Sequence, residues 1–247
     1  MISRNEKGRI INYACLSTGN FNEDTAGIYA DDLLLTSNKK ITNEAIKLFD
    51  FFDINYKRDT FYHLMVSPFN LRNKILSLIN NEIKNAKKGK EAFIKLKLNN
   101  LVDFQIINLL YLASNAGVKV YLNIRGMNSL VPEIDEFSRN IKGISIVDRF
   151  LEHTRIFIFC NGNNEQYFIS SADLMARNID RRVEIVCPIY DKNIQKELHD
   201  IFDLQWKDNV KARIIDYKLS NKLKENKSAS KIHAQNAIYE YLIKKSS

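Results

Sequence analysis

The sequence predicts an α/β fold in which helices flank a mixed sheet, and three patterns carry that expectation. Ile94-Lys95-Leu96-Lys97-Leu98 and Val118-Lys119-Val120-Tyr121-Leu122-Asn123-Ile124 alternate apolar with polar residues, the period of a half-buried strand. A helical segment lies between them, and strand, helix, strand in so short a span implies parallel pairing. Farther on, Ile156-Phe157-Ile158-Phe159 is apolar throughout, as a central strand covered on both faces would be.

The remaining elements follow in chain order. Residues 10–16 read as a strand leading into Ser17-Thr18-Gly19-Asn20, and Thr42 is expected to cap a helix, with Ile41 and Ile46 as its hydrophobic staple. Leu71, Ile75, Leu78, Ile79 and Ile83 recur at helical spacing after Ser67-Pro68, up to a stop at Lys87-Lys88-Gly89. Asp103 is the expected N-cap of the helix between the two alternating strands, with Val102 and Ile107 as staple and Gly117 as its end. Strands are expected at 167–169 and 183–187. A helix at 191–206 carries Ile194, Leu198, Ile201 and Phe202 on one face, and a second amphipathic, basic stretch covers 232–245. The polar, Lys-rich residues 220–230 between them read as a mobile loop.

A chain of 247 residues, 45% hydrophobic and with only 8 Gly and 3 Pro, can bury a sizeable core as one large or two small domains. No run reaches the ~18 apolar residues of a membrane span, and residues 1–7 lack the apolar core of a signal peptide, so a soluble, cytoplasmic protein is expected. Cys15, Cys160 and Cys187 lie in apolar surroundings without paired spacing, which predicts buried, reduced thiols rather than disulfides or a zinc site. Cys15 alternates with Tyr13 on its strand and has no general base nearby in sequence. The formal charge of +8 favours a polyanionic partner. The basic residues are dispersed, however, with no aromatic-basic stripe, so nucleic acid is not the expected one.

The residues that carry chemistry cluster after the alternating strands. His153-x-Arg155 opens onto the apolar strand 156–159, and the chain returns through 167–169 into Ser170-Ser171-Ala172-Asp173. An imidazole and a fixed cation at one strand end, near small hydroxyls, are the parts phosphoryl transfer requires. Arg177-Asn178 and Arg181-Arg182 add donors of planar geometry. Ser17-Thr18-Gly19-Asn20 follows its own strand much as Ser170 to Asp173 follows another, which implies two half-sites, with Asn20 and Asn178 as candidate phosphate donors. His153 precedes Ser170 by 17 positions, and the same step back from Ser17 falls at or before Met1. The partner histidine is therefore expected upstream, in a longer protein of which this chain is a fragment.

Five runs, in this order and spacing, resemble the C-terminal half of bacterial polyphosphate kinases of the phosphohistidine type: residues 16–23, Leu98 to Asp103, Arg125-Gly126-Met127, Ser145 to His153, and Ser170 to Asp180. The resemblance covers nearly the whole chain and implies a phospholipase D-like fold. Residues 1–57 would then be the remnant of a first, truncated catalytic domain, and 58–247 a complete second one. It also implies reversible, ATP- and Mg2+-dependent elongation of polyphosphate through a histidine upstream of Met1. By the same resemblance, Tyr29 contacts the nucleotide, Arg125 binds phosphate and His153 assists transfer; the metal ligands are not given by the sequence, since the family's cation site is completed by residues absent from this chain. ATP or ADP and polyphosphate are the implied partners, together with a homo-oligomer and peripheral membrane association.

Two other readings compete. The chain as given would be a non-catalytic nucleotide- or polyphosphate-binding module if the covalent acceptor lies elsewhere. A phospholipase D-type phosphodiesterase shares the paired-histidine logic, but here the half-site reads His153-x-Arg155 rather than His-x-Lys.

Overall fold

Strands and helices alternate along the chain in the computed structural model, which describes residues 1–54, 56, 59–225 and 230–246. Strands β1 (Ile2–Glu6), β2 (Arg9–Ser17) and β4 (Leu33–Thr36) form a small antiparallel sheet in the order β1-β2-β4. The short helix α1 (Glu23–Ala26) follows β2, and two short strands, β3 (Tyr29–Ala30) and β9 (Leu151–Glu152), pair in parallel with Tyr29 opposite Leu151. The main sheet has eight strands. Their order is β13 (Arg213–Ile215), β8 (Ile141–Ser145), β7 (Lys119–Ile124), β6 (Phe93–Leu98), β10 (Ile156–Phe159), β11 (Gln166–Ser170), β12 (Glu184–Ile189) and β5 (Met65–Ser67). β6, β7 and β8 run parallel, and every other neighbouring pair is antiparallel, so the sheet is mixed as expected.

The two-residue period of a strand puts alternate side chains on opposite faces, and β10 buries both sets. Phe157 and Phe159 pack in the core built with α3 (Leu71–Lys87) and α4 (Phe104–Asn115), through Leu71, Ile75, Ile79, Ile106, Ile107 and Leu110. Ile156 and Ile158 point into a second core with α2 (Lys39–Asp53), α5 (Lys192–Lys207) and β2, through Ile41, Ala45, Leu48, Leu198, Phe202, Ala14 and Leu16. The N-terminal segment thus shares its core with the main sheet. Residues 57 and 58, where the two-domain division was expected, lie outside the described residues.

Asp103 caps α4 by accepting from the Ile106 N–H, and Asp191 caps α5 by accepting from Asn193 and Ile194. Gly117 after α4 and Gly89 after α3 have φ of +96° and +71°, the left-handed turn that glycine adopts without penalty. The last helix, α6 (Ala234–Ser246), lies along α5, where Tyr241 donates to Asp200 Oδ2 at 2.9 Å.

Four expectations change. Thr42 is not a cap: α2 begins at Lys39 behind Asn38, whose side chain accepts from the Lys40 N–H, and Thr42 is buried inside the helix. β6 is not half-buried, because α5 covers its polar face; Lys97 is only 2% exposed and Lys95 pairs with Asp203 at 2.9 Å. Cys160 and Cys187 are buried free thiols, and burial pushes Cys187 up to about 12, whereas Cys15 is only half-buried. In the stretch read as a mobile loop, Lys224 donates its backbone N–H to Ala212 and Leu223 bridges Arg213; residues 226–229 lie outside the described residues. No helix among the described residues is long and apolar enough to cross a membrane.

Candidate functional site

The site forms where the N-terminal end of β10 meets the loops after β2 and β3. His153 and Thr154 both donate backbone N–H groups to the Ala30 carbonyl at 3.1 Å, which extends the β3–β9 pairing and carries Asp31 to the imidazole. His153 Nδ1 lies 2.9 Å from each oxygen of Asp31. Burial opposes ionisation of Asp31, but the hydrogen bonds from His153 and Thr18 outweigh it and hold the carboxyl below its ordinary value. An ionised carboxylate only accepts, so the proton resides on Nδ1 and the Nε2 side of the ring is left for chemistry. Thr18 Oγ1 donates to Asp31 Oδ1 at 2.7 Å, and the Asp32 N–H donates to Thr18 Oγ1 at 2.9 Å. The Tyr29 ring lies 4.7 Å from the His153 ring, tilted by 54°.

Two arginines stand at the site, Arg155 against the imidazole and Arg125 against the Glu152 carbonyl, and their surroundings differ. Arg155 is buried and spends its fork on protein: Nε on Asp173 Oδ1 at 3.2 Å, Nη1 on the carbonyls of Thr18 at 2.9 Å and His153 at 3.0 Å. Arg155 Nη1 also stands 3.3 Å from His153 Nε2. Asp173 in turn accepts from the N–H groups of Asn99 and Asn100 at 2.9 and 3.1 Å, so its oxygens are satisfied. Arg125 follows β7 and is held by one nitrogen, Nε donating to Asn99 Oδ1 at 2.6 Å and to the Glu152 carbonyl at 2.7 Å. Neither Nη group of Arg125 makes a hydrogen bond, nor has Arg125 an ion-pair partner, among the described residues. Burial, and then the nearby charge of Arg155, pull its guanidinium below the usual arginine range. An uncompensated cation with its fork free is an anion-binding group.

Beneath these residues lies a fully packed ion pair. Lys97 Nζ is 2.9 Å from Glu152 Oε2 and donates to Thr154 Oγ1 at 2.5 Å. Gln205 and Gln235 complete the Glu152 carboxylate at 2.7 and 2.9 Å. Glu152 is therefore committed to Lys97, and only its backbone carbonyl reaches Arg125.

The structure joins His153, Tyr29, Arg125 and Arg155 in one place. Asn20 is exposed in the loop beyond Gly19, its carbonyl accepting from the Asn22 N–H at 3.0 Å. Asn178 stands apart: it is buried in a turn of π-helix (Arg177–Arg181) and donates Nδ2 to Glu184 Oε1 at 2.8 Å. The expected hydroxyl donors are also committed, Ser170 to the Ala172 carbonyl at 2.9 Å and Ser171 to Glu184 Oε2 at 2.5 Å. Asp180 pairs with Arg72 at 2.6 Å, while Arg177, Arg181 and Arg182 are exposed. Sequence reasoning assigned no role to Asp31, Thr18, Asn99 or Asn100. A polar residue beside a glycine and an acidic pair after a short aromatic strand were their only local signals.

A divalent cation prefers several free oxygen ligands. Asp31 and Asp173 are already engaged, and no group of three His, Cys, Asp or Glu side chains suited to a metal occurs among the described residues. The described residues therefore offer no preformed ligand set for Mg2+.

Comparison with known proteins decides the family. Residues 64–235 match the model described as polyphosphate kinase C-terminal domain 2, and residues 1–58 match polyphosphate kinase C-terminal domain 1. The chain belongs to the polyphosphate kinase family. It is 47% identical to polyphosphate kinase of Escherichia coli (strain K12) and 50% identical to that of Vibrio parahaemolyticus, each over 242 residues and 98% of this chain. It spans 35% of the length of either relative. The crystal structure of polyphosphate kinase from Porphyromonas gingivalis superposes with a TM-score of 0.92 at 44% identity, covering 97% of this chain and 37% of that one. Both matched models are C-terminal domains of that family.

Proposed function

We propose that this chain supplies the nucleotide-side half of a polyphosphate kinase site, in which the terminal phosphate of ATP passes reversibly to polyphosphate through a phosphohistidine. The observation that carries the reading is Arg125, an uncompensated guanidinium with both Nη groups free, beside the Asp31-anchored His153 and the Tyr29 ring. Tyr29 offers a face for the base, and the Arg125 fork takes phosphate oxygens. His153 presents Nε2 to the transferring group, and it donates a hydrogen bond to the charge developing there only when the ring carries a second proton as imidazolium.

The acceptor is a histidine outside this chain. Of the four histidines here, His63 bonds Tyr190 at 2.9 Å, His199 bonds Tyr167 at 3.0 Å and His233 pairs with Asp148, so only His153 stands among the arginines. In the longer protein that histidine's nitrogen attacks the γ-phosphorus and ADP leaves. The terminal oxygen of polyphosphate then attacks the same phosphorus and frees the nitrogen. A division of the chain near residue 58 fits the two family matches, over residues 1–58 and 64–235.

Incorporation of label from γ-labelled ATP by a full-length protein carrying this segment tests the reading. His153→Ala is expected to reduce net synthesis by about 10² to 10³, the usual cost of one electrostatic donor, and synthesis at the parental rate would overturn the role of His153. Residues 1–247 alone are expected to make no polyphosphate. Phosphodiester hydrolysis without ATP would instead favour a phospholipase D-type activity.

A further inference from the structure

A hollow lined by two lysines and apart from the His153 cluster lies against β5, β11 and β12 of the main sheet. β11 runs from Tyr167 at this hollow to Ser170 beside Arg155, three residues or about 10 Å along the strand. It is a cavity of about 460 Å³ whose walls include Tyr62, His63, Lys74, Tyr190, Lys192 and Gln195. That volume falls in the range of small-molecule sites.

Three features give the cavity the chemistry of a ligand site. Its wall is preorganised: the buried Glu44 carboxylate accepts the N–H groups of Tyr62, His63 and Leu64 at 2.7, 3.0 and 2.7 Å. Neither of its cations, Lys74 or Lys192, has an ion-pair partner among the described residues, and Lys74 feels only the more distant charge of Glu44. Lys74 Nζ rests on the carbonyls of Tyr62 at 2.5 Å and Leu64 at 3.2 Å, and Lys192 Nζ donates to Gln195 Oε1 at 2.9 Å. The acidic side chain facing the same space, Glu165, is engaged by the Tyr167 hydroxyl and by His199 at 3.8 Å. Finally, the mouth is aromatic. Tyr62 and Tyr190 are 74% and 43% exposed, and the Tyr190 hydroxyl is fixed by His63 Nδ1 at 2.9 Å, with Lys40 Nζ 5.7 Å from the ring centroid.

We propose that this cavity is a second nucleotide-binding site, separate from the His153 cluster, in which Lys74 and Lys192 hold the phosphates of a nucleoside diphosphate and Tyr190 stacks on its base. Ammonium groups bind phosphate as point charges, and an exposed tyrosine face accepts any base. The pairing of unspent cations with exposed rings favours a nucleotide over a bare polyanion, which has no use for the rings. The assignment stands on the cavity alone and does not depend on the phosphotransfer reading.

With four histidines in the chain, their ring resonances report the two places separately: His63 in the cavity and His153 at the other site. ADP titrated into the chain is expected to move both signals, with two distinct midpoints. Lys192→Glu and Tyr190→Ala, at exposed positions and checked for an unchanged melting temperature, should each weaken the His63 response at least tenfold and leave the His153 response in place. Inorganic tripolyphosphate should lose affinity for the cavity with Lys192→Glu but not with Tyr190→Ala. A His63 signal that ADP does not move, or a response indifferent to both substitutions, would overturn the site. Equal losses for ADP and tripolyphosphate in Tyr190→Ala would overturn the nucleotide assignment.

Discussion

Arg155 Nη1 donates to the carbonyl of Thr18 at 2.9 Å, so a guanidinium at the start of an interior strand of the eight-stranded sheet fastens the loop that leaves a strand of another sheet. Thr18 passes that constraint to Asp31, and Asp31 to the His153 imidazole. The geometry of the histidine is therefore held by residues more than a hundred positions away in sequence.

Replacing Arg155 should cost stability as well as geometry. It is buried against Asp173, and removing one member of a buried pair costs about 3–5 kcal/mol. Arg155→Met is expected to lower the denaturation free energy by that amount. Arg155→Lys should lose less, because it keeps the charge but not the fork that reaches Asp173, Thr18 and His153 together. Urea titrations with an unchanged m-value would measure both.

Gly19 is required by close approach. A Cβ there would stand 1.9 Å from Asp31 Oδ2, so Gly19→Ala must push the carboxylate off the imidazole. With the main core untouched, the melting temperature should move by only a few degrees. Synthesis in the longer protein is expected to fall about 10²-fold, the usual result of displacing a reacting group by an ångström. An unchanged rate would separate Asp31 from the function of His153.

Asp32 gives a pH signature. Burial, opposed by the charge of Lys97, pushes its carboxyl up to about 6, above the ~3.9 of an unfolded chain. The folded state holds this proton more tightly, so folding loses free energy as pH rises from about 4 through 6. Asp32 Oδ2 is also buried without a hydrogen-bond partner. Asp32→Asn is accordingly expected to raise the melting temperature at pH 8, with the gain vanishing near pH 4.

Lys97 and Glu152 form the opposite case. Burial disfavours the Glu152 carboxylate, but Lys97, Gln235 and Gln205 outweigh it and hold the carboxyl below its ordinary value. Its contribution is present above the unfolded value and lost as pH falls through the folded one. Lys97→Met should cost about 3–5 kcal/mol at pH 7 by stranding a buried carboxylate. The loss should shrink toward pH 4, where Glu152 of the variant, buried without Lys97, takes a proton. Denaturant titrations at the two pH values would show the difference.

Much of the fold was legible because its signals are local. Asp103, Asp191 and the glycines at 89 and 117 mark helix ends through backbone hydrogen bonds and φ, which depend on a few neighbouring residues. The wholly apolar run of β10 announced a strand buried on both faces, and the resemblance of five motifs pointed to the family. Alternation misled at Lys95 and Lys97, since a polar period shows which face a residue takes and not what covers that face. α5 lies about a hundred residues farther on.

His153 and Arg155 could be named from sequence because they stand at a strand end in a short motif, and Tyr29 and Arg125 because the family resemblance reaches them. What each does was decided only by tertiary contacts. Arg155 and Arg125 are the same residue type at similar strand ends, yet one is neutralised by Asp173 and spent on carbonyls while the other keeps its fork free, because Glu152 turns to Lys97. Residue identity fixes which charges and donors the chain owns. Only the packing of β2, β3, β7 and β10 around one point determines which of them cancel and which remain for a phosphate.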